Sequence, residues 1–191
     1  DNRLYGSSYM PNRLFRSTLD GSVIEDLGEH TYAGGEAYSL ANFDGRVYLA
    51  SYPEARLSVF DPARPVRFGG TSADNPQDLG RLDHVSYRPN ALIVTPELEA
   101  PDGGKVPSRL WMGSSPDYGL RDGTLAWYDP RTGARRSHRT VVADTSPASL
   151  LYLPEQRQIL VGLSIEAGTG VKISRLNGAF ALWDPVKDEL V

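Results

Sequence analysis

The side chains able to move protons or hold charge are few, and their spacing narrows what they can do. Three histidines are present, His30, His84 and His138, and no cysteine. Disulfides, Cys-ligated zinc and thiol nucleophiles are therefore excluded. No Ser-His-Asp order, Gly-rich phosphate loop or metal-ligand spacing occurs, so no metal and no cofactor is expected. One catalytic reading remains. His84 with the hydroxyl of Tyr52 or Tyr118 would form a base and acid pair for β-elimination on a uronic acid, with Arg88 stabilising the developing enolate. The other reading is binding: Glu36, Arg88, Tyr9, Tyr52, Tyr118 and Asp144 would hold an acidic or polyhydroxylated ligand. Tyrosines stack on sugar rings and hydrogen-bond hydroxyls, and a guanidinium grips a carboxylate through two parallel bonds.

These residues can converge only if the chain brings distant loops together, and its repeats predict that it does. Four segments share one pattern of strand-spaced apolar residues, a small residue and serine: Leu4-Tyr5-Gly6-Ser7-Ser8, Val47-Tyr48-Leu49-Ala50-Ser51, Leu110-Trp111-Met112-Gly113-Ser114, and Ile159-Leu160-Val161-Gly162 running on to Ser164. Each precedes a second strand that ends in a turn, at Asp20-Gly21, Asp61-Pro62, Asp129-Pro130 and Asp184-Pro185. Alternating Leu, Val and aromatic residues suit a half-buried pleated surface, and the small residue lets a neighbouring sheet approach. Asp bonds its own backbone two residues on, so these four aspartates are turn formers.

A third strand leads into the pair at Ala37–Phe43, Asn90–Thr95 and Ala148–Leu153, and a weaker fourth follows at Val23–Leu27, Asp78–Leu82, Arg139–Val142 and the tail from Asp188. Four strands per unit at a period of roughly 40 to 60 residues is the pattern of propeller blades. No apolar helical periodicity interrupts it. The fold class expected is all-β, a β-propeller of four four-stranded blades at 1–30, 34–83, 88–143 and 146–191. The first unit lacks its opening strand, and the segment reads as part of a seven- or eight-bladed ring.

In such a blade, the loops leading into the innermost strand and the loops joining the second and third strands open onto one face. The second kind lengthen along the chain, from Tyr9–Asn12 and Tyr52–Ala55 to Pro116–Asp122 and Ile165–Asn177. Glu36, Arg88, Asp144 and Ser146 stand just before inner strands. His30 and His84 fall in the same class of loop and are expected to face the same funnel.

Composition limits the partners. The 191 residues carry a formal net charge of −4, which argues against a nucleic-acid footprint, and the one cationic run, Arg131 to Arg139, reads as a solvated strand or loop. No apolar run approaches a membrane helix, so no membrane partner is expected. The opening residues run straight into a strand pattern, which points to a segment of something longer.

The phrases Asp44-Gly45-Arg46-Val47-Tyr48-Leu49 and Phe60-Asp61-Pro62 resemble bacterial propellers of the YVTN, SMP-30/gluconolactonase-like and quinoprotein types. More narrowly, the stretch Ala50–Pro65, the run Asn75–Gly80 and Pro116-Asp117-Tyr118-Gly119 resemble large secreted bacterial propellers of poorly defined function. That resemblance implies a secreted or extracytoplasmic, carbohydrate-related setting. It does not extend to a metal or a quinone: only Glu36 matches the Glu, Asn and Asp cluster of metal-dependent lactonases, and neither the quinoprotein tryptophan-docking repeats nor a WD-type Gly-His occurs.

Three functions follow as expectations: a binding or interaction propeller with a tyrosine-rich funnel for a saccharide or acidic small molecule, an enzyme acting on acidic polysaccharide or a sugar acid, and a structural segment. The remaining blades, or a second copy of the chain, would be its protein partners.

Overall fold

The computed structural model describes residues 2–191, and every helix-free stretch of regular structure in it is β-strand. The chain divides into two compact units, one ending at Arg81 and one running from Leu82 to Val191.

In the first unit, β1 (Arg3–Ser7), β2 (Arg13–Thr18) and β3 (Ile24–Glu29) form a three-stranded antiparallel sheet. The second sheet has four strands in chain order, β4 (Glu36–Phe43), β5 (Arg46–Tyr52), β6 (Arg56–Phe60) and β7 (Gln77–Arg81). In the second unit, β8 (Ser86–Thr95) is followed by a small ribbon, β9 (Leu98–Glu99) with β10 (Lys105–Val106), that the sequence pattern did not anticipate. The third sheet is β8 with β11 (Arg109–Pro116), β12 (Thr124–Tyr128) and β13 (Arg135–Arg139). The fourth is β14 (Ser146–Leu153), β15 (Gln158–Ser164), β16 (Ala179–Asp184) and β17 (Glu189–Leu190).

The turn aspartates do one job four times. Oδ1 of Asp20, Asp61, Asp129 and Asp184 accepts the N–H of Ser22, Ala63, Arg131 and Val186 at 3.1, 2.9, 2.9 and 2.9 Å. This Asx geometry closes each second strand. After Asp129 the turn is tight, with Gly133 at φ 75° donating to Asp129 O at 2.8 Å. Pairing therefore resumes at Arg135, and the third unit's last strand is Arg135–Arg139 rather than the expected 139–142. The cationic run is that edge strand.

The small-residue position has a packing cause. Ser7, Ala50, Gly113 and Gly162 stand opposite Leu14, Leu57, Leu125 and Phe180 in the strand pairs. A Cβ on Gly113 would lie 2.9 Å from Pro147 Cβ of the fourth sheet, closer than side chains come. The core of the second unit forms at this approach, where Trp111 and Leu125 meet Ile159, Val161 and Trp183. In the first unit Leu14 and Leu27 meet Val47, Leu49 and Phe60. Each such side chain contributes roughly 1.5–3 kcal/mol by leaving water.

All three inner strands, β4, β8 and β14, carry a register shift near their start, at Ala37/Ser39, between the partners Gly113/Ser115, and at Pro147/Ser149. A bulge there kinks the strand and re-aims the residues at its mouth, among them Glu36, Arg88 and Ser146.

Candidate functional site

In the second unit the start of β8, the β11–β12 loop, the start of β14 and the β15–β16 loop lie at one end of their sheets, as antiparallel order requires. Arg88, expected in the loop before the inner strand, is inside β8 and faces Ser115 across the bulge. The apolar run beginning at Ala91 suggested a later start, but β11 continues polar through Ser114–Pro116 and pairs β8 back to Ser86.

Beneath this end lies a buried hydroxyl cluster. Asp83 accepts the N–H groups of Val85 and Ser86 at 2.7 and 2.6 Å and the Ser86 hydroxyl at 2.7 Å. Ser114 donates to Ser86 Oγ at 2.6 Å, and Thr124 Oγ1 lies against Ser86, Ser114 and Asp83. One carboxylate and three hydroxyls thus tie the loop before β8 to β11 and β12.

Above it two loops are zipped together. Gly119 N–H donates to Thr169 O at 3.1 Å, Gly168 N–H to Leu120 O at 2.9 Å, and Asp117 N–H to Val85 O at 2.8 Å. Gly168 sits so close to the carbonyls of Asp117 and Leu120 that no Cβ fits. Arg121 pairs with Asp144 at 3.5 Å and donates to Lys172 O at 3.1 Å, and Arg175 donates to Ala143 O at 3.1 Å. Asp144 is thereby committed to Arg121 and the loop framework.

On this platform Tyr118 is 52% exposed and meets Tyr87 edge-on, ring centres 5.2 Å apart at 86°. Arg88, next to Tyr87, donates from Nη2 to Thr169 Oγ1 at 3.3 Å. The arrangement offers an aromatic face and a guanidinium side by side, which suits stacking and anion pairing. His84 is exposed, and it forms no hydrogen bond with Tyr118.

The first unit gathers the other candidates. Glu36 opens β4 opposite Tyr52, Gly35 N–H donates to Tyr52 O at 3.2 Å, and Met10 N–H donates to Gly35 O at 3.1 Å. The loop carrying Tyr9 therefore meets the start of β4. Tyr9 is exposed, and Tyr52 lies 6.1 Å from Tyr38. Glu36, Tyr9 and Tyr52 occupy one end of this unit, while Arg88, Tyr118, Asp144 and His84 belong to the other unit.

His30 corrects an expectation. It does not face a ligand but is fully buried, with Nδ1 3.0 Å from Ser58 Oγ and Nε2 2.9 Å from Asn12 Oδ1. Asn12 Nδ2 donates to Ala33 O at 3.2 Å, which fixes its amide oxygen toward the imidazole. An amide oxygen only accepts, so Nε2 carries the proton and Nδ1 accepts from Ser58. Burial pushes the imidazole pKa down to about 4, against the opposing charge of Asp78. The Ser58, His30 and Asn12 row looks like a nucleophile relay, but Ser58 is fully buried and no substrate reaches it.

A further polar cluster escaped sequence reasoning. Asp188, with 9% of its side chain exposed, accepts from Trp127 Nε1 at 3.0 Å and lies 3.3 Å from Arg136 Nη1 and 2.9 Å from His138 Nε2. The His138 contact lies off the line of a directed hydrogen bond, so it is a charge contact. Asp188 stands 50 to 61 residues from these partners in the chain, and no local motif announces it. Among the described residues no group of three or more His, Asp or Glu is placed to hold a metal ion, and no helix is long and apolar enough to cross a membrane.

No family model matches the sequence, and no curated protein matches it. Among solved structures, the chain is similar to one described as "Crystal structure of Nidogen/Laminin Complex", with a TM-score of 0.55 and 11% identity over 100% of this chain and 74% of that one. At that identity the likeness speaks for the fold alone. Together with repeated antiparallel sheets and no helix, it makes this an all-β protein of β-propeller-like fold.

Proposed function

We propose that the protein is a binding module of the propeller type, whose four sheets are successive blades and whose loop ends hold an acidic, hydroxyl-rich ligand such as a uronic-acid oligosaccharide. The observation that carries this is the exposed Tyr118, held edge-on to Tyr87 beside the Arg88 guanidinium on a platform of zipped loops. A rigid aromatic surface next to a cation suits a carboxylated sugar: the ring stacks on its apolar face and the guanidinium meets its carboxylate. Glu36, Tyr9 and Tyr52 would add polar contacts from the first unit. An interaction role is compatible with the structural neighbour, whose description names a complex of two proteins. A secreted, extracytoplasmic protein is the setting this reading implies.

Binding is favoured over catalysis because the acid and base pair is not assembled in the second unit: His84 is exposed and Asp144 is held by Arg121. Titration with oligogalacturonate, followed by calorimetry, tests the proposal. Binding should weaken about tenfold or more in Arg88→Ala, and the oligosaccharide should be recovered intact. No binding by a folded wild-type chain would overturn the reading. Ultraviolet absorbance from an unsaturated product would replace it with a lyase.

A further inference from the structure

The fourth sheet presents to solvent the same face that the third sheet uses as an interface. Strand pairing fixes the correspondence. Ile93, Trp111, Gly113, Leu125 and Trp127 share one face of the third sheet, and their equivalents in the fourth are Leu151, Leu160, Gly162, Phe180 and Leu182. In the third sheet this face is the half of the core that receives the fourth sheet. In the fourth sheet it is uncovered: Leu125 is fully buried, whereas Phe180 is 78% exposed and Leu151 57%. Two open apolar hollows flank Phe180, of 510 and 330 Å³. Contiguous apolar surface of this kind marks an interaction site.

The repeat also says what fits there. A sheet's receiving face takes the opposite face of the next sheet, led by the row Ile159–Trp183 in the fourth sheet and Val47–Phe60 in the second. The first sheet carries the matching row, Leu4–Ser17–Ile24, in register across β1, β2 and β3. Leu4 takes the place of Val47 and Ile159. Those two are 3% and 0% exposed, but Leu4 is 53% exposed and Ile24 70%. One chain thus bears both halves of an interface that it already builds internally, and both halves are open.

We propose that two copies of this chain associate head to tail, the uncovered face of the β14–β17 sheet of one receiving the Leu4–Ile24 face of the β1–β3 sheet of the other. Such a contact is heterologous: different patches meet, and a third copy can add wherever a pair does not close. The inference rests on the repeat and not on the ligand reading, so either can fail without the other.

Sedimentation of the 191-residue chain over a range of concentrations tests it. The wild type should reach at least twice 20.9 kDa. The double variant Phe180→Asp/Leu182→Asp should remain a monomer alone, as should Leu4→Asp/Ile24→Asp. An equimolar mixture of the two should form a 1:1 dimer, because each supplies the face the other lacks. That complementation also shows that both variants are folded. A wild type that stays monomeric up to about millimolar concentration, the weak end of specific affinity, would overturn the proposal. So would association that survives Phe180→Asp/Leu182→Asp, or variants that fail to combine while each keeps the wild-type circular dichroism.

Discussion

Asn12 and His30 form a buried pair in which the amide oxygen of one accepts the ring Nε2–H of the other at 2.9 Å. The pair joins the β1–β2 loop to the segment before β4, and through Ser58 to β6, so one neutral imidazole holds three parts of the first unit.

The first prediction concerns acid. An unfolded chain protonates its histidine near the ordinary value of 6.5, while folded His30 resists protonation down to about 4. Between those values the unfolded state binds more protons, so stability must fall as the pH drops through this window and level off below it. The full effect is about 3 kcal/mol. Urea unfolding across the window should show this loss, and it should be absent in His30→Gln. A wild type with no loss there would contradict the buried neutral imidazole.

Removing its partner should be costly at neutral pH. Asn12→Ala leaves the His30 Nε2–H without an acceptor in the core and should destabilise by about 1–3 kcal/mol. In contrast, Asn12→Asp should raise the His30 pKa by offering a carboxylate, which the imidazole proton resonances would report.

Asp188 makes the opposite case. Burial, the largest single influence, would raise its pKa, but His138, Trp127 Nε1 and Arg136 together outweigh it and hold the carboxyl below the usual range. A lowered carboxyl pKa stabilises the fold above the unfolded-state value, and that stability is lost as pH falls through the folded-state value. Asp188→Asn keeps an acceptor for Trp127 and tolerates the φ of 61° at this position. It should flatten the acid limb of the stability curve. Asp188→Ala should in addition cost about 1–3 kcal/mol at neutral pH, because the Trp127 N–H loses its acceptor.

The two equivalent glycines should respond differently. At Gly113 a methyl group meets Pro147, with its Cβ at 2.9 Å and its backbone oxygen at 3.3 Å, and Gly113→Ala should destabilise by about 1–3 kcal/mol. At Gly162 the obstruction is the Ser149 hydroxyl, which can rotate away. Gly162→Ala should cost much less in thermal unfolding; equal costs would mean that the sheets do not approach as described.

Tyr118→Ala removes an exposed ring and should change stability by no more than about 0.5 kcal/mol. Its effect should fall on oligogalacturonate binding. A variant that unfolds would make Tyr118 a structural residue.

Most of the secondary structure was legible in the sequence because its causes are local. Period-two alternation in Ile159, Val161 and Leu163 marks a half-buried strand, and Asp61 or Asp129 before Pro marks where one ends, since the carboxylate bonds the backbone two residues on. The small residue between apolar ones likewise signalled close sheet approach before Gly113 was seen against Pro147. The boundary errors were local as well: Arg88 was placed outside β8 because polar residues there gave no strand signal, although pairing with β11 extends it. What sequence could not supply were the polar partnerships. His30 meets Ser58 across 28 residues and Trp127 meets Asp188 across 61. A side chain's chemistry is set by the partners and the burial it acquires, and those depend on which strands the tertiary structure sets side by side. His30 and His84 read alike as loop histidines, and only the fold made one a neutral core residue and left the other in water.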